Sequence, residues 1–173
     1  TSPLFGFLLA GAYRAGLTDQ RLVTFSVGIG VVWMALIGWL SYQIGFLTTR
    51  SRDWSVFATV VILLTGSVQW GCFNGMETGL FTAFTLAAFY ALLVENGPSC
   101  SLWLGLAALT RTEGLILTAI IWVLSLAASL TTDHRNAWRR TSLLSVALVV
   151  GMVPFVVNWS LTGTVSAAGL RAK

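Results

Sequence analysis

Long apolar runs separated by short polar segments make up most of this chain. A helix needs about 20 largely apolar residues to cross a hydrocarbon core of about 30 Å. Residues 22–47, 54–73 and 142–161 meet this requirement, the last with a kink expected at Pro154. Residues 78–94 are slightly short but uncharged, and we interpret them as a fourth crossing. The pattern predicts an all-α, polytopic bundle of transmembrane helices.

Two further segments do not have the length of a simple crossing. Residues 1–16 contain an apolar run that is too short to span, so we interpret them as an interfacial or re-entrant helix. Residues 102–130 would form a helix about 43 Å long at 1.5 Å per residue, with Arg111 and Glu113 near the bilayer centre. A break at residues 111–114 removes this difficulty and leaves helices at 102–110 and 114–130. We therefore predict short or broken helices beside a cavity, because non-helical backbone at membrane depth needs protein or water around it.

Composition supports a membrane location and argues against other classes. Of the 173 residues, 56% are hydrophobic and only 9% are charged, whereas soluble domains carry about 25% charged residues. The net charge of +4 comes from basic residues scattered between apolar runs, which orient a membrane protein rather than bind nucleic acid. The first residue is Thr1 and no signal-peptide pattern follows it, so we expect an internal piece of a longer protein.

The predicted crossings also assign the loops to two faces. The turn at Glu77, the turn at residues 111–113 and the tail with Arg171 and Lys173 fall on one face. The opposite face collects five basic residues: Arg50, Arg52, Arg135, Arg139 and Arg140. By the positive-inside rule this opposite face would be cytoplasmic, and the face with the two turns would be extracytoplasmic. The charge bias between the two faces is small, because the extracytoplasmic face also carries four basic residues: Arg14, Arg21, Arg171 and Lys173.

Two charged motifs interrupt the apolar sequence, at residues 74–78 (Asn-Gly-Met-Glu-Thr) and 110–114 (Thr-Arg-Thr-Glu-Gly). A charge in hydrocarbon costs roughly 2.5–3.5 kcal/mol even on lenient scales, so such residues usually line a cavity or find partners. In the first motif, glycines at 71, 75 and 79 are compatible with a small-residue packing stripe on a continuous helix. The alternative is a glycine-rich outer turn that presents Asn74 and Glu77.

The second motif also allows two interpretations. Arg111 and Glu113 are two residues apart and would not share a helix face, but a local turn would let them form an ion pair. Alternatively, Arg111 is a lone buried cation that binds a phosphate, for which its planar fork of donors is well suited. No Ser-His-Asp set, P-loop or cluster of metal ligands is present in the sequence.

Short segments in chain order carry a family resemblance. They are residues 1–5 (T-S-P-L-F), 75–78 (G-M-E-T), 105–114 (G-L-A-A-L-T-R-T-E-G), 154–155 (P-F) and 169–173 (G-L-R-A-K). This order resembles the GT-C superfamily of polytopic membrane glycosyltransferases, in its bacterial arabinofuranosyltransferase-like and mannosyltransferase-like branch. Typical members read T-S-P-L-W, G-[LM]-E-T, L-T-R-P-E-G and P-N-T-F-Y-A-K there. This chain departs from them with Thr112 in place of proline and with few aromatic residues before its final Ala-Lys.

The resemblance implies an incomplete GT-C-like module in a bacterial inner membrane. Such enzymes transfer a sugar from a polyprenyl phosphate to an extracytoplasmic glycan or protein acceptor, and their catalytic acid lies in an outer loop upstream of this sequence. Glu77 would match the acidic position of the second outer loop, as a catalytic group or as a ligand of a divalent cation. Five residues would bind substrate or its phosphate: Asn74, Arg111, Glu113, Arg171 and Lys173.

Two other functions remain open from the sequence. Broken helices with cavity charges also occur in transporters, so a flippase or transporter of a lipid-linked anion is an alternative, although the chain shows no inverted internal repeat. The other alternative is a non-catalytic subunit whose charges contact further membrane subunits.

Overall fold

The fold is entirely helical over the residues that the computed structural model describes, which are 3–74, 77–131 and 135–162. This confirms the predicted all-α class. Eight helices occupy the described residues: α1 (Pro3–Arg14), α2 (Asp19–Thr49), α3 (Arg52–Leu64), α4 (Gly66–Phe73), α5 (Thr78–Leu93), α6 (Gly97–Thr110), α7 (Thr112–Thr131) and α8 (Arg135–Thr162).

Three of these helices are long and apolar enough to cross a bilayer. They are α2, α7 over Thr112–Leu130 and α8 over Trp138–Val157. Only 17–22% of each apolar window is buried inside the protein, so most of these side chains face outward. Outward-facing apolar surface of this extent, on helices of spanning length, is typical of helices that face lipid and indicates a membrane protein.

Residues 54–73, predicted as one crossing helix, form two helices instead. α3 ends at Leu64, α4 begins at Gly66, and the two are bent by 60° at Thr65. The Gln69 side-chain amide donates to the Leu63 carbonyl at 3.0 Å, which satisfies an acceptor freed by the break. The pair is either a broken span or a re-entrant loop by its length and composition.

α5 is largely enclosed by protein and is shorter than a full crossing. Its 16 residues extend about 24 Å at 1.5 Å per residue, against the roughly 30 Å of a hydrocarbon core. Its apolar composition, from which we predicted a fourth crossing at 78–94, also matches burial against neighbouring helices. Seven of its residues are buried: Gly79, Leu80, Ala83, Phe84, Ala87, Ala88 and Ala91.

Aromatic and glycine contacts give the relative directions of α2, α3, α4 and α5. α5 runs parallel to α2, because ring contacts join Trp33 with Phe84 at 6.1 Å and Trp39 with Tyr90 at 5.9 Å. α3 and α4 run antiparallel to α2, because later residues of this pair contact earlier residues of α2. A Cβ at Gly45 would lie 3.2 Å from the Ser55 Cα, whereas Gly30 contacts the Cys72 carbonyl.

Helices α6, α7 and α8 form a second packed group held by interhelical hydrogen bonds. Ser101 on α6 donates to the Leu143 carbonyl on α8. The Trp122 indole on α7 donates to the Ser145 hydroxyl on α8 at 2.8 Å, and Thr118 on α7 donates to a carbonyl of α6 at 3.3 Å. These registers make α6 parallel to α8 and α7 antiparallel to both. Such bonds average about 0.6 kcal/mol each in membrane bundles.

The helix directions define two ends of the bundle. The motif end contains Asn74, Glu77 and residues 110–113, and α1 packs on this half through Phe5. The basic end contains the α2–α3 and α5–α6 junctions together with the first turns of α8, where Arg139 and Arg140 lie. The predicted grouping of the two motif turns on one face is therefore confirmed. Arg171 and Lys173 lie outside the described residues.

Candidate functional site at the motif end

The helix break predicted at residues 111–114 is confirmed and forms the tip of a tight hairpin. α6 ends at Thr110, and Arg111 follows in an extended conformation with φ −149° and ψ 150°. The Arg111 amide donates to the Ala107 carbonyl at 3.1 Å, and the Gly114 amide donates to the Arg111 carbonyl at 3.0 Å. Because both amides are satisfied locally, the chain reverses within one residue and α7 begins at Thr112.

Gly114 allows this hairpin to close. A Cβ at position 114 would lie 2.7 Å from the Ala108 amide nitrogen and would also clash with the Ala107 carbonyl group. These are backbone atoms, which cannot move aside as a flexible side chain would. The absence of a side chain at Gly114 thus sets the distance between α6 and α7 and fixes Arg111 at the tip.

Arg111 and Glu113 form an ion pair at this tip. The Arg111 Nη2 atom lies 2.8 Å from the Glu113 Oε1 atom, and the Thr112 hydroxyl donates to Glu113 Oε2 at 3.2 Å. The two charged side chains are 34% and 53% exposed within the protein. The interpretation of Arg111 as a lone buried cation is therefore wrong. The break places both groups on the same short turn, which a continuous helix would not do.

Arg111 also reaches the first turn of α5. Its guanidinium carbon lies 5.9 Å from the centroid of the Phe81 ring, within the range of a cation–π contact. The Phe81 amide donates to the Glu77 carbonyl at 2.9 Å, so Arg111 contacts a residue one helical turn after Glu77. Sequence reasoning missed Phe81, although its position four residues after Glu77 puts the two on the same helix face.

Glu77 immediately precedes α5 and is partly buried. Within the described residues its carboxylate has no hydrogen-bond or ion-pair partner. Asn74 caps the end of α4, where its backbone amide donates to the Trp70 carbonyl at 3.0 Å, and its side chain is exposed. Both side chains are consequently available to a ligand at the motif end.

Gly71 and Gly79 have a packing role across the turn between α4 and α5. A Cβ at Gly71 would lie 2.9 Å from the Thr78 Cγ2 atom, and one at Gly79 would lie 3.1 Å from the Cys72 Cα. The interpretation of these glycines as a packing stripe on one continuous helix is therefore wrong, because α4 and α5 are separate helices that pack closely here. This close packing brings the end of α4 against the first residues of α5.

The structure brings Asn74, Glu77, Arg111 and Glu113 to one end of the bundle and describes neither Arg171 nor Lys173. Where the chain is described, no group of three or more His, Cys, Asp or Glu side chains is arranged to hold a metal ion. A divalent cation at Glu77 thus remains a prediction from the resemblance. Among their described residues, the two motifs offer one guanidinium, one paired carboxylate and one carboxylate without a partner.

No family model, curated protein or solved structure matches this chain. Over its described residues the fold is that of an all-helical membrane protein, with three helices there that are long and apolar enough to span. The GT-C resemblance rests on the short sequence motifs quoted above.

Proposed function

We propose that this chain is the transmembrane part of a glycosyltransferase that takes a sugar from a polyprenyl-phosphate donor. The acceptor is an extracytoplasmic glycan or protein of a bacterial cell envelope. One observation supports the proposal: the two segments that resemble GT-C motifs meet at one end of the bundle, where Arg111 lies 5.9 Å from the ring of Phe81, one helical turn after Glu77.

The proposed reaction breaks the bond between the sugar C1 and the donor phosphate oxygen while a bond forms from C1 to the acceptor oxygen. Polyprenyl phosphate leaves with the electron pair, and the acceptor proton passes to a carboxylate of the upstream outer loop. Arg111 stabilises the negative charge that develops on the leaving phosphate, since donors already fixed in place need no reorganisation during the reaction. Arg111 has five N–H donors, and its bond to Glu113 occupies one Nη2 donor.

Glu113 and Glu77 have different proposed roles. Glu113 orients the Arg111 fork through their 2.8 Å ion pair. Glu77, whose carboxylate has no partner among the described residues, orients the acceptor hydroxyl or holds a divalent cation. Asn74, Arg171 and Lys173 complete the substrate contacts in this proposal.

Glu77→Gln tests the proposed function directly. In the full-length protein we expect sugar transfer from a polyprenyl-phosphate donor to fall about 10²-fold, a typical contribution of one positioned acid–base or orienting group. The protein should still insert and fold, because Glu77 has no ion-pair partner among the described residues whose charge the substitution would leave buried. Asp19→Asn is the matched control, since it removes an acid near the start of α2 that takes no part in the site. Equal rates for Glu77→Gln and the unmodified enzyme would contradict the role of Glu77.

Orientation is tested by cysteine labelling from outside intact cells. We expect an impermeant maleimide to label Glu77→Cys but not Ala137→Cys, in a background where Cys72 and Cys100 are replaced by alanine. The expectation follows from the basic residues at the end that contains position 137. Permeabilised cells should label both positions and serve as the control. Labelling of position 137 alone in intact cells would place the motif end in the cytoplasm.

The bend between α3 and α4 favours a second candidate function. A 60° break in a span-length pair is typical of transporters, whose discontinuous helices border the substrate path. A flippase of a lipid-linked anion would move its substrate across liposome membranes without transferring sugar. A subunit without catalytic activity would neither transfer sugar nor move the lipid. Assays of sugar transfer and of lipid movement therefore separate the glycosyltransferase, the flippase and the non-catalytic subunit.

A further inference from the structure

A cavity at the basic end is separate from the motif end and takes no part in the proposed sugar transfer. Its volume is about 290 Å³, and it lies where the α5–α6 junction meets the second turn of α8. It is lined by Glu95, Gly97, Pro98, Arg139, Arg140 and Leu143. One carboxylate and two guanidiniums leave the lining with a net positive charge.

Gly97 makes room for Arg140 beside this cavity. A Cβ at Gly97 would lie 3.5 Å from the Arg140 Cγ and 3.8 Å from its Nε, so the arginine stem packs directly over the glycine. Among the residues that the structure describes, neither Arg139 nor Arg140 has a carboxylate within ion-pair distance. Both guanidiniums are therefore available to an anion in the cavity.

The backbone at the start of α6 cannot supply this anion site by itself. The Ser99 amide is bound to the Asn96 side chain at 3.1 Å, the Cys100 amide to the Asn96 carbonyl at 2.9 Å, and the Gly97 amide to the Glu95 carbonyl at 3.2 Å. Pro98 has no amide hydrogen. The donors for a ligand must come from the two arginines.

We propose that this cavity binds the phosphate of an anionic phospholipid from the leaflet at the basic end. Arginine forks match phosphate oxygens in pairs, and basic pockets between transmembrane helices are typical sites for anionic headgroups. The outer surface of α8 beside the cavity is apolar and exposed, so acyl chains would lie along it while the headgroup enters between the arginines.

The test measures phosphatidylglycerol binding to the full-length protein by native mass spectrometry from a neutral detergent. We expect the first phosphatidylglycerol to bind at least about tenfold more tightly than phosphatidylcholine. The double variant Arg139→Ala, Arg140→Ala should weaken phosphatidylglycerol binding roughly 25-fold, because each cation near a membrane surface contributes about a fivefold gain in affinity. Arg50→Asn with Arg52→Ala is the matched control at the same end, and asparagine tolerates the positive φ of 56° at position 50.

Gly97→Leu provides a second, independent variant that keeps both arginines and fills the cavity. It should lose phosphatidylglycerol binding, whereas Gly97→Ala should retain it because its Cβ makes only ordinary contacts with Arg140. Equal weakening by the control pair at 50 and 52 would overturn the proposal in favour of diffuse surface charge. Displacement of the lipid by inorganic phosphate at equal concentration would overturn the lipid source and identify a free phosphate site.

Discussion

Replacing Gly114 by alanine is expected to remove most of the correctly folded protein, although the substitution adds a single methyl group. The added Cβ would clash with the Ala107 carbonyl group and lie 2.7 Å from the Ala108 amide nitrogen. Overpacking against yielding side chains costs about 1–3 kcal/mol, and here the obstacle is the backbone of α6. Since whole proteins are stable by only about 5–15 kcal/mol, separation of α6 from α7 is the expected result.

The measurement is the yield of monodisperse protein after detergent extraction, together with its melting temperature. Gly28→Ala is the matched control, because position 28 lies within α2 and a Cβ there meets nothing within 4 Å. That control should be neutral or stabilising, by up to about 1 kcal/mol, since glycine is unfavourable inside helices. A melting temperature for Gly114→Ala equal to that of Gly28→Ala would show that the α6–α7 hairpin is not closed by this contact.

The break before Gly114 was predictable because two physical constraints conflicted in the sequence. Residues 102–130 were too long for one crossing, and they carried Arg111 and Glu113 at their centre. The pairing of the two charges was only one of two alternatives. It depends on the extended backbone of Arg111, with ψ near 150°, and residue spacing alone does not determine that conformation.

The division of residues 54–73 was not predictable from the same reasoning. Apolarity and length are equal for a straight and a bent helix, and the bend at Thr65 depends on Gln69 reaching the Leu63 carbonyl at 3.0 Å. Whether the side chains of α5 face lipid or protein was not predictable either, because an uncharged apolar run is compatible with both surroundings. Its neighbours on α2 and α6 decide this, and those contacts are remote in sequence.

Arg111→Ala is expected to have the largest effect on the proposed activity. We expect transfer from the polyprenyl-phosphate donor to fall about 10²–10³-fold, the usual loss when one fixed donor to a developing oxyanion is removed. Donor binding should weaken as well, because the phosphate is anionic both before and after transfer. Folding should change little, since the exposed pair with Glu113 contributes about 0–1 kcal/mol.

Arg111→Lys and Arg21→Ala separate the chemistry of the fork from the charge of the motif end. Lysine keeps the cation but lacks paired donors, so it should restore only part of the lost rate. Arg21→Ala removes an exposed cation near the start of α2, on the same half of the bundle, and should leave transfer within about twofold because solvent and salt screen it. If Arg111→Ala transferred sugar as fast as Arg21→Ala in protein that is equally well folded, Arg111 would hold only the hairpin tip, through Glu113 and Phe81.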